Sequence, residues 1–101
     1  MKRFDWNDAK NLQLKVKQGI GFDEVYAALE DGGLLDNIPH PNQKRYPAQR
    51  IFIIEIDNYA FLVPFVEDEE KIFLKTLYPS RKFTKKYLTK GGIKWDIITT
   101  T

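Results

Sequence analysis

The 101-residue sequence contains no cysteine and only one histidine, His40. The first absence excludes disulfide staples, thiolate nucleophiles and cysteine-ligated zinc or iron–sulfur centres. The second leaves too few imidazoles for a conventional histidine metal site, so neither metal nor cofactor is expected. No run approaches the ~18 consecutive apolar residues that a membrane helix needs, and residues Met1 to Asp8 lack an apolar signal core. A cytoplasmic protein without membrane association is therefore expected. Glycine-rich phosphate loops, nucleophile motifs, internal repeats and low-complexity tracts are also missing. What is present, 43% hydrophobic and 30% charged residues, argues for a folded chain rather than disorder. A chain of this length forms one domain, burying about 60–65% of its unfolded surface, with no room for a second catalytic lobe.

The formal net charge of +2 hides an uneven distribution. Residues 1–40 hold five basic and seven acidic side chains, and residues 41–74 four and six, each net −2. Residues 75–101 hold seven basic and one acidic, net +6. Such a basic quarter suits an anionic partner, either nucleic acid or an acidic protein surface, with a solvated helix face as the plain alternative.

Hydropathy and turn chemistry predict an α+β domain. Asn7 can cap a first helix, with Asp8 at its positive end, a stripe of Phe4, Ala9, Leu12 and Val16, and Gly19 as the stop. A second helix follows Gly21, with Asp23 and Glu24 in its first turn, an apolar face of Phe22, Val25, Tyr26 and Leu29, and Gly32-Gly33 at its end. Leu34-Leu35 can begin a short strand, but Pro39, Pro41 and Pro47 bar a continuous element through residues 34–49. Three strand-like runs follow, Arg50 to Ile56, Tyr59 to Val66 and Lys71 to Tyr78, with Pro64 marking a bulge or an edge. Their connections, Asp57-Asn58 and the acidic Asp68-Glu69-Glu70, are too short for parallel crossovers and imply an antiparallel meander of three to four strands. Arg81 to Leu88 reads as a short basic helix capped by Ser80 and broken at Gly91-Gly92. The expected domain is residues 1–90, with residues 91–101 a tail that either adds a strand or frays. The helices are expected on one face of the sheet.

Four stretches then occur in order: Trp6-Asn7-Asp8-Ala9-Lys10; Lys17-Gln18-Gly19-Ile20-Gly21-Phe22-Asp23-Glu24; Arg50 before Ile51-Phe52; and Pro79-Ser80-Arg81-Lys82-Phe83-Thr84. Together, over Phe4 to Leu88, they resemble the BrnT family of bacterial toxins within the RelE-like ribonuclease group. That family's patterns are approximately W-D-x-x-K, then K-H-G-[VI]-S-F-E-E, then S-A-R-K-x-T. Gln18 stands here for the usual His, Gly21 and Pro79 each for a Ser, and no Glu follows Lys85-Lys86. The resemblance implies a RelE-like fold and metal-free RNA cleavage. The partners implied are a protein antitoxin that covers the basic groove, messenger RNA either free or on the ribosome, and operator DNA reached only through the antitoxin.

In such cleavage the ribose 2′-hydroxyl attacks the adjacent phosphate, which calls for a proton acceptor, a proton donor and positive charge on the pentacoordinate phosphate. Arg81 is the first candidate clamp, since a guanidinium fork binds two phosphate oxygens at once; an exposed surface arginine is the alternative. Arg50 is the second, against a cross-strand ion pair with an acid such as Glu67. Lys17 matches the family lysine but also complements a helix C-terminus. His40 offers the side-chain type that titrates nearest neutrality, set between two prolines in a loop. Lys44, Arg45, Lys82, Lys85 and Lys86 are candidate RNA-backbone contacts, their contribution falling with salt. Tyr87 is a candidate for base stacking or proton donation, unless Phe83, Tyr87 and Leu88 form a core-facing side. The acidic turn from Glu67 to Glu70 reads as solvated, with a divalent-metal site the alternative. The function expected is a ribonuclease toxin of a two-gene toxin–antitoxin pair. Its alternative is a noncatalytic module that holds nucleic acid or an acidic protein with the basic helix.

Overall fold

The computed structural model describes residues 2–89 and has a mixed α+β architecture. A first strand, β1 (Arg3–Asp5), leads into helices α1 (Asp8–Gln18) and α2 (Phe22–Glu30). Strands β2 (Leu34–Pro39), β3 (Arg50–Ile56), β4 (Tyr59–Glu67), β5 (Lys71–Leu74) and β6 (Tyr78–Pro79) follow, then α3 (Arg81–Thr84), which runs into a π-helical turn at Lys85–Thr89. The sheet order is β1-β5-β4-β3-β2, with β6 paired to β4. The predicted meander is present as β3-β4-β5, all antiparallel. Asp57 and Asn58 both take positive φ (53° and 63°), the conformation that matches a two-residue hairpin turn to strand twist.

Strand periodicity of two sorts the core into two layers. Phe52, Ile54, Phe61, Val63 and Phe65 face α1 and α2 and meet Phe22, Val25, Leu14, Leu74 and Leu77. Phe52 and Phe65 stack at 3.9 Å, as diagonal cross-strand neighbours on this face. Ile51, Ile53, Ala60 and Leu62 face the other way and pack with Leu35, Ile38, Phe83 and Tyr87. The C-terminal helix therefore covers the opposite face from α1 and α2, which corrects the expectation that all helices share one face. The cause lies in β3 and β4: both of their faces are apolar, so each face requires a cover.

The cap residues behave as read. Asn7 accepts the Lys10 N–H (2.9 Å), Gly19 closes α1 at φ 80°, and Ser80 Oγ accepts the Phe83 N–H (3.1 Å). The apolar stripe of α1 does not. Phe4 lies on β1, and Leu12 and Val16 are 64% and 81% exposed, while Leu14 is 6% exposed. The inward side is Asn11, Leu14, Lys15 and Gln18, spaced by three and four residues but polar except for Leu14. Asn11 Oδ1 accepts the Phe22 N–H at 2.7 Å and its Nδ2 donates to Asp23 at 2.9 Å, while Lys15 pairs with Asp23. Polar ties, invisible to a hydropathy pattern, dock this helix.

Prolines also fit better than expected. β2 continues to Pro39, because at the end of an edge strand the missing N–H removes no ladder bond. Pro64 sits within β4 opposite Ile51, at the gap between the β5 and β6 pairings, and its carbonyl accepts the Lys75 N–H (2.8 Å). The N-terminal strand β1, parallel to β5, was not foreseen; three residues carry no readable alternation. The predicted break at Gly91-Gly92 and the tail lie outside the described residues. Among the described residues, no helix is long and apolar enough to cross a membrane.

Candidate nucleic-acid interface

The ten residues between β2 and β3 form a loop built by its own hydrogen bonds. The His40 N–H donates to Gln49 O (3.1 Å), closing the neck. Asn42 Oδ1 accepts the Arg45 N–H (3.0 Å) and its carbonyl accepts the Tyr46 N–H (2.9 Å), which makes one helical turn with an asparagine cap. Gln43 Nε2 donates to His40 O at 2.7 Å. Pro41 and Pro47 bracket this turn and fix φ at two further positions. The imidazole of His40 lies 4.6 Å from the Tyr46 ring, and Arg45 Cζ stands 5.5 Å from the same ring. The loop thus displays Lys44 and Arg45 outward around a half-buried His40–Tyr46 pair.

Arg50 opens β3 at the foot of this loop. Its Nε donates to Asn37 Oδ1 (2.9 Å) and its Nη2 to Asn37 O (3.0 Å), so it is held by β2. The alternative to a clamp role, an ion pair with Glu67, is not formed: Glu67 binds Lys2 at 2.5 Å instead. Asn37 occupies the guanidinium from the cross-strand diagonal on β2, while the acids of the β4–β5 turn line the hollow beside it without a direct ion pair to Arg50. A hollow of about 340 Å³ beside Arg50 is lined by Lys2, Ala48, Phe65, Glu67, Asp68 and Glu69. Asp68 spends its carboxylate on the Glu70 and Lys71 N–H groups (2.8 and 2.9 Å), which hold it below the ordinary range. Among the described residues, no group of three His, Cys, Asp or Glu side chains is placed to hold a metal ion.

The other candidates gather at the opposite end of the sheet. Arg50 stands opposite Phe65 and Pro79 opposite Phe61, so four residues of β4, about 13 Å at ~3.3 Å each, separate the two ends. There Lys10, Gln13, Leu14, Lys17, Gln18, Thr76, Leu77 and Tyr78 line a cleft of about 410 Å³ that contains no carboxylate. Gln18 donates weakly from Nε2 to the Leu77 and Ile20 carbonyls, 3.4 Å each. Arg81, Lys82, Lys85 and Lys86 follow on the C-terminal helix, all exposed. Lys82 lies over the Phe83 ring, and Lys86 over both Phe83 and Tyr87.

Tyr87 has a packing role. Its ring joins the Ile51–Ile53 layer, and its hydroxyl donates to Asp36 Oδ2 at 2.6 Å. That bond, followed by one from the Asn37 N–H, pulls the Asp36 carboxyl below its usual range, and Asp36 raises the Tyr87 phenol. Thr84, the last residue of the motif-bearing segment, is also structural: it is 8% exposed and accepts the Ala60 N–H at 2.8 Å.

The structure therefore brings His40, Lys44, Arg45 and Arg50 together at one end, and Lys17, Arg81, Lys82, Lys85 and Lys86 toward the other. Tyr46 and Asn42 escaped the sequence reading. Their signal was the spacing of His40, Asn42 and Tyr46 between prolines, a pattern of turn-forming residues around two rings. Comparison with protein-family models, curated proteins and solved structures returns no match for the chain.

Proposed function

We propose that this chain is an RNA-directed toxin of a bacterial two-gene toxin–antitoxin pair, acting in the cytoplasm as a metal-independent endoribonuclease of the RelE-like, BrnT-type kind. The supporting observation is the β2–β3 loop, which presents an imidazole with Lys44, Arg45 and Arg50 in a stretch, Asn37 to Ile54, that holds no carboxylate. In this cleavage the 2′-oxygen bonds to phosphorus as the P–O5′ bond breaks, leaving a cyclic phosphate and a 5′-hydroxyl. Water takes the 2′-hydroxyl proton and protonates the leaving oxygen, and fixed donors at the charge on the non-bridging oxygens contribute about 10²–10³ each. The exposed cations of the C-terminal helix, Arg81, Lys82, Lys85 and Lys86, bind flanking backbone phosphates in a salt-dependent way, and Lys17 on the other face adds a separate contact. A protein antitoxin covers these surfaces and brings the complex to operator DNA.

One observation favours a second reading, a noncatalytic nucleic-acid-binding module. The Nδ1 of His40 already accepts the Asn42 N–H at 3.0 Å, so no free imidazole lone pair is on offer as a base. Expression of the chain alone, combined with an RNA cleavage assay of the purified protein, separates the readings. Growth arrest with RNA cut supports the toxin. Salt-dependent RNA binding without cutting supports the module, and folded protein that neither binds nor cuts RNA removes both.

A further inference from the structure

His40 is the single histidine of the chain, and its ring nitrogens are not equivalent. The backbone N–H of Asn42 can only donate, so the Nδ1 it points to, at 3.0 Å, must carry a lone pair. In the neutral ring the hydrogen then resides on Nε2. Protonating Nδ1 would set two N–H groups against each other and break the bond that shapes the turn. Among the described residues nothing accepts a hydrogen bond from Nε2, whereas the His40 N–H and carbonyl are both bonded, to Gln49 O and from Gln43 Nε2. The Tyr46 ring at 4.6 Å limits rotation of the imidazole. Tyr46 is itself fixed by the Asn42 carbonyl and backed by Arg45.

We infer that this loop holds His40 as the neutral Nε2–H tautomer to donate a hydrogen bond to a phosphodiester oxygen of RNA, with Tyr46 as the residue that positions the ring. This rests on the RNA-directed reading above and assigns His40 a role other than proton transfer. A neutral imidazole that surrendered its only N–H would become an imidazolate, a costly species, so the group acts as a fixed electrophilic donor. Arg45, over the other member of the His40–Tyr46 pair, supplies positive charge from the same loop. No proton is moved by His40, and its hydrogen stays on Nε2 throughout.

A single histidine makes the test direct. In ¹⁵N-labelled full-length protein at neutral pH, the two ring nitrogens are read without assignment ambiguity. The expected result is an imine-type Nδ1 and a pyrrole-type Nε2, with the Nε2–H signal displaced on adding a 2′-O-methyl RNA oligonucleotide that cannot be cut. The Nδ1–H tautomer, a fast mixture of tautomers, or an Nε2–H signal unmoved by bound RNA overturns the inference. Tyr46→Phe is expected to keep the tautomer and Tyr46→Ala to lose it; equal spectra for the two remove the positioning role. Activity adds an independent arm. Glutamine places an N–H where Nε2–H lies, so His40→Gln should cut RNA within about tenfold of wild type, whereas His40→Ala should lose roughly 10²–10³-fold. Folded His40→Gln as inactive as His40→Ala would mean proton transfer after all. If the oligonucleotide does not bind at all, the RNA-directed reading fails together with the donor role, while the tautomer remains readable.

Discussion

Thr84 allows the coupling between the C-terminal helix and the sheet to be measured with one substitution. Its Oγ1 accepts the Ala60 N–H at 2.8 Å and donates to the Ser80 carbonyl at 2.7 Å. Ala60 is 0% exposed; on the β6 side of β4 its carbonyl accepts the Ser80 N–H (2.9 Å), and its own N–H goes to Thr84. Valine matches threonine in shape, so Thr84→Val leaves no cavity and isolates the hydroxyl. Ser80 O keeps the Thr84 N–H (3.0 Å), so a single orphan remains, the Ala60 donor. A buried donor stripped of its acceptor costs about 1–3 kcal/mol. The expected loss is therefore about 2 kcal/mol, a fall in Tm of roughly 8–16 °C for a domain of this size. Thr84→Ser retains both bonds and removes one methyl, with an expected loss of about 0.8 kcal/mol. Urea unfolding of the three proteins checks both values. A Thr84→Val protein within ~0.5 kcal/mol of wild type, or one more stable than Thr84→Ser, would refute the reasoning.

Three more outcomes are expected. Asp36 is depressed by its Tyr87 hydrogen bond, so that contribution is present above the ordinary carboxylate value and is lost as pH falls through the folded one. Tyr87 is raised, so its share is present below the ordinary phenol value and is lost as pH rises through its own folded value. The stability gap between wild type and Tyr87→Phe should be full near pH 7, begin to narrow below about pH 4 and above about pH 10, and vanish only beyond the folded values, by denaturant midpoints; a constant gap would contradict this. On α1, Leu14→Ala should cost about 3 kcal/mol, whereas Leu12→Glu and Val16→Glu should each change stability by less than about 0.5 kcal/mol, the reverse of what the hydropathy stripe implies. Arg81→Ala should unfold within about 0.5 kcal/mol of wild type, since its side chain is exposed, yet bind RNA more weakly with a shallower salt slope, read by fluorescence anisotropy.

Much of the fold was legible where local chemistry dictates local structure. Caps at Asn7 and Ser80, the stop at Gly19, the Asp57-Asn58 turn and the three-strand meander each follow from side-chain donors, positive φ or short connections. The orientation of α1 was not legible, because its docking side consists of Asn11, Lys15 and Gln18, whose burial depends on partners distant in sequence such as Asp23 and Leu77. The second cover of the sheet was missed for a related reason. Continuous apolar runs such as Ile51 to Ile54 show that both faces are buried, yet not which helix lies on which. At the candidate interface, residue types pointed to the cations and His40 but not to their partition between two ends of the sheet. That partition is set by register, Arg50 against Phe65 and Pro79 against Phe61, which no single stretch of sequence encodes. For Arg50 the sequence offered a phosphate clamp or a cross-strand ion pair, and neither reading contained Asn37, which the strand diagonal brings to its guanidinium.

The central claim, RNA cleavage by fixed cationic and imidazole donors without a metal, is tested most directly by incubating purified full-length protein with a single-stranded RNA in excess chelator. Cutting that persists in chelator, ends in a cyclic phosphate and drops sharply in Arg50→Ala and Arg81→Ala is the predicted result. Intact RNA in the presence of folded wild-type protein, or cutting that chelator abolishes, would contradict it.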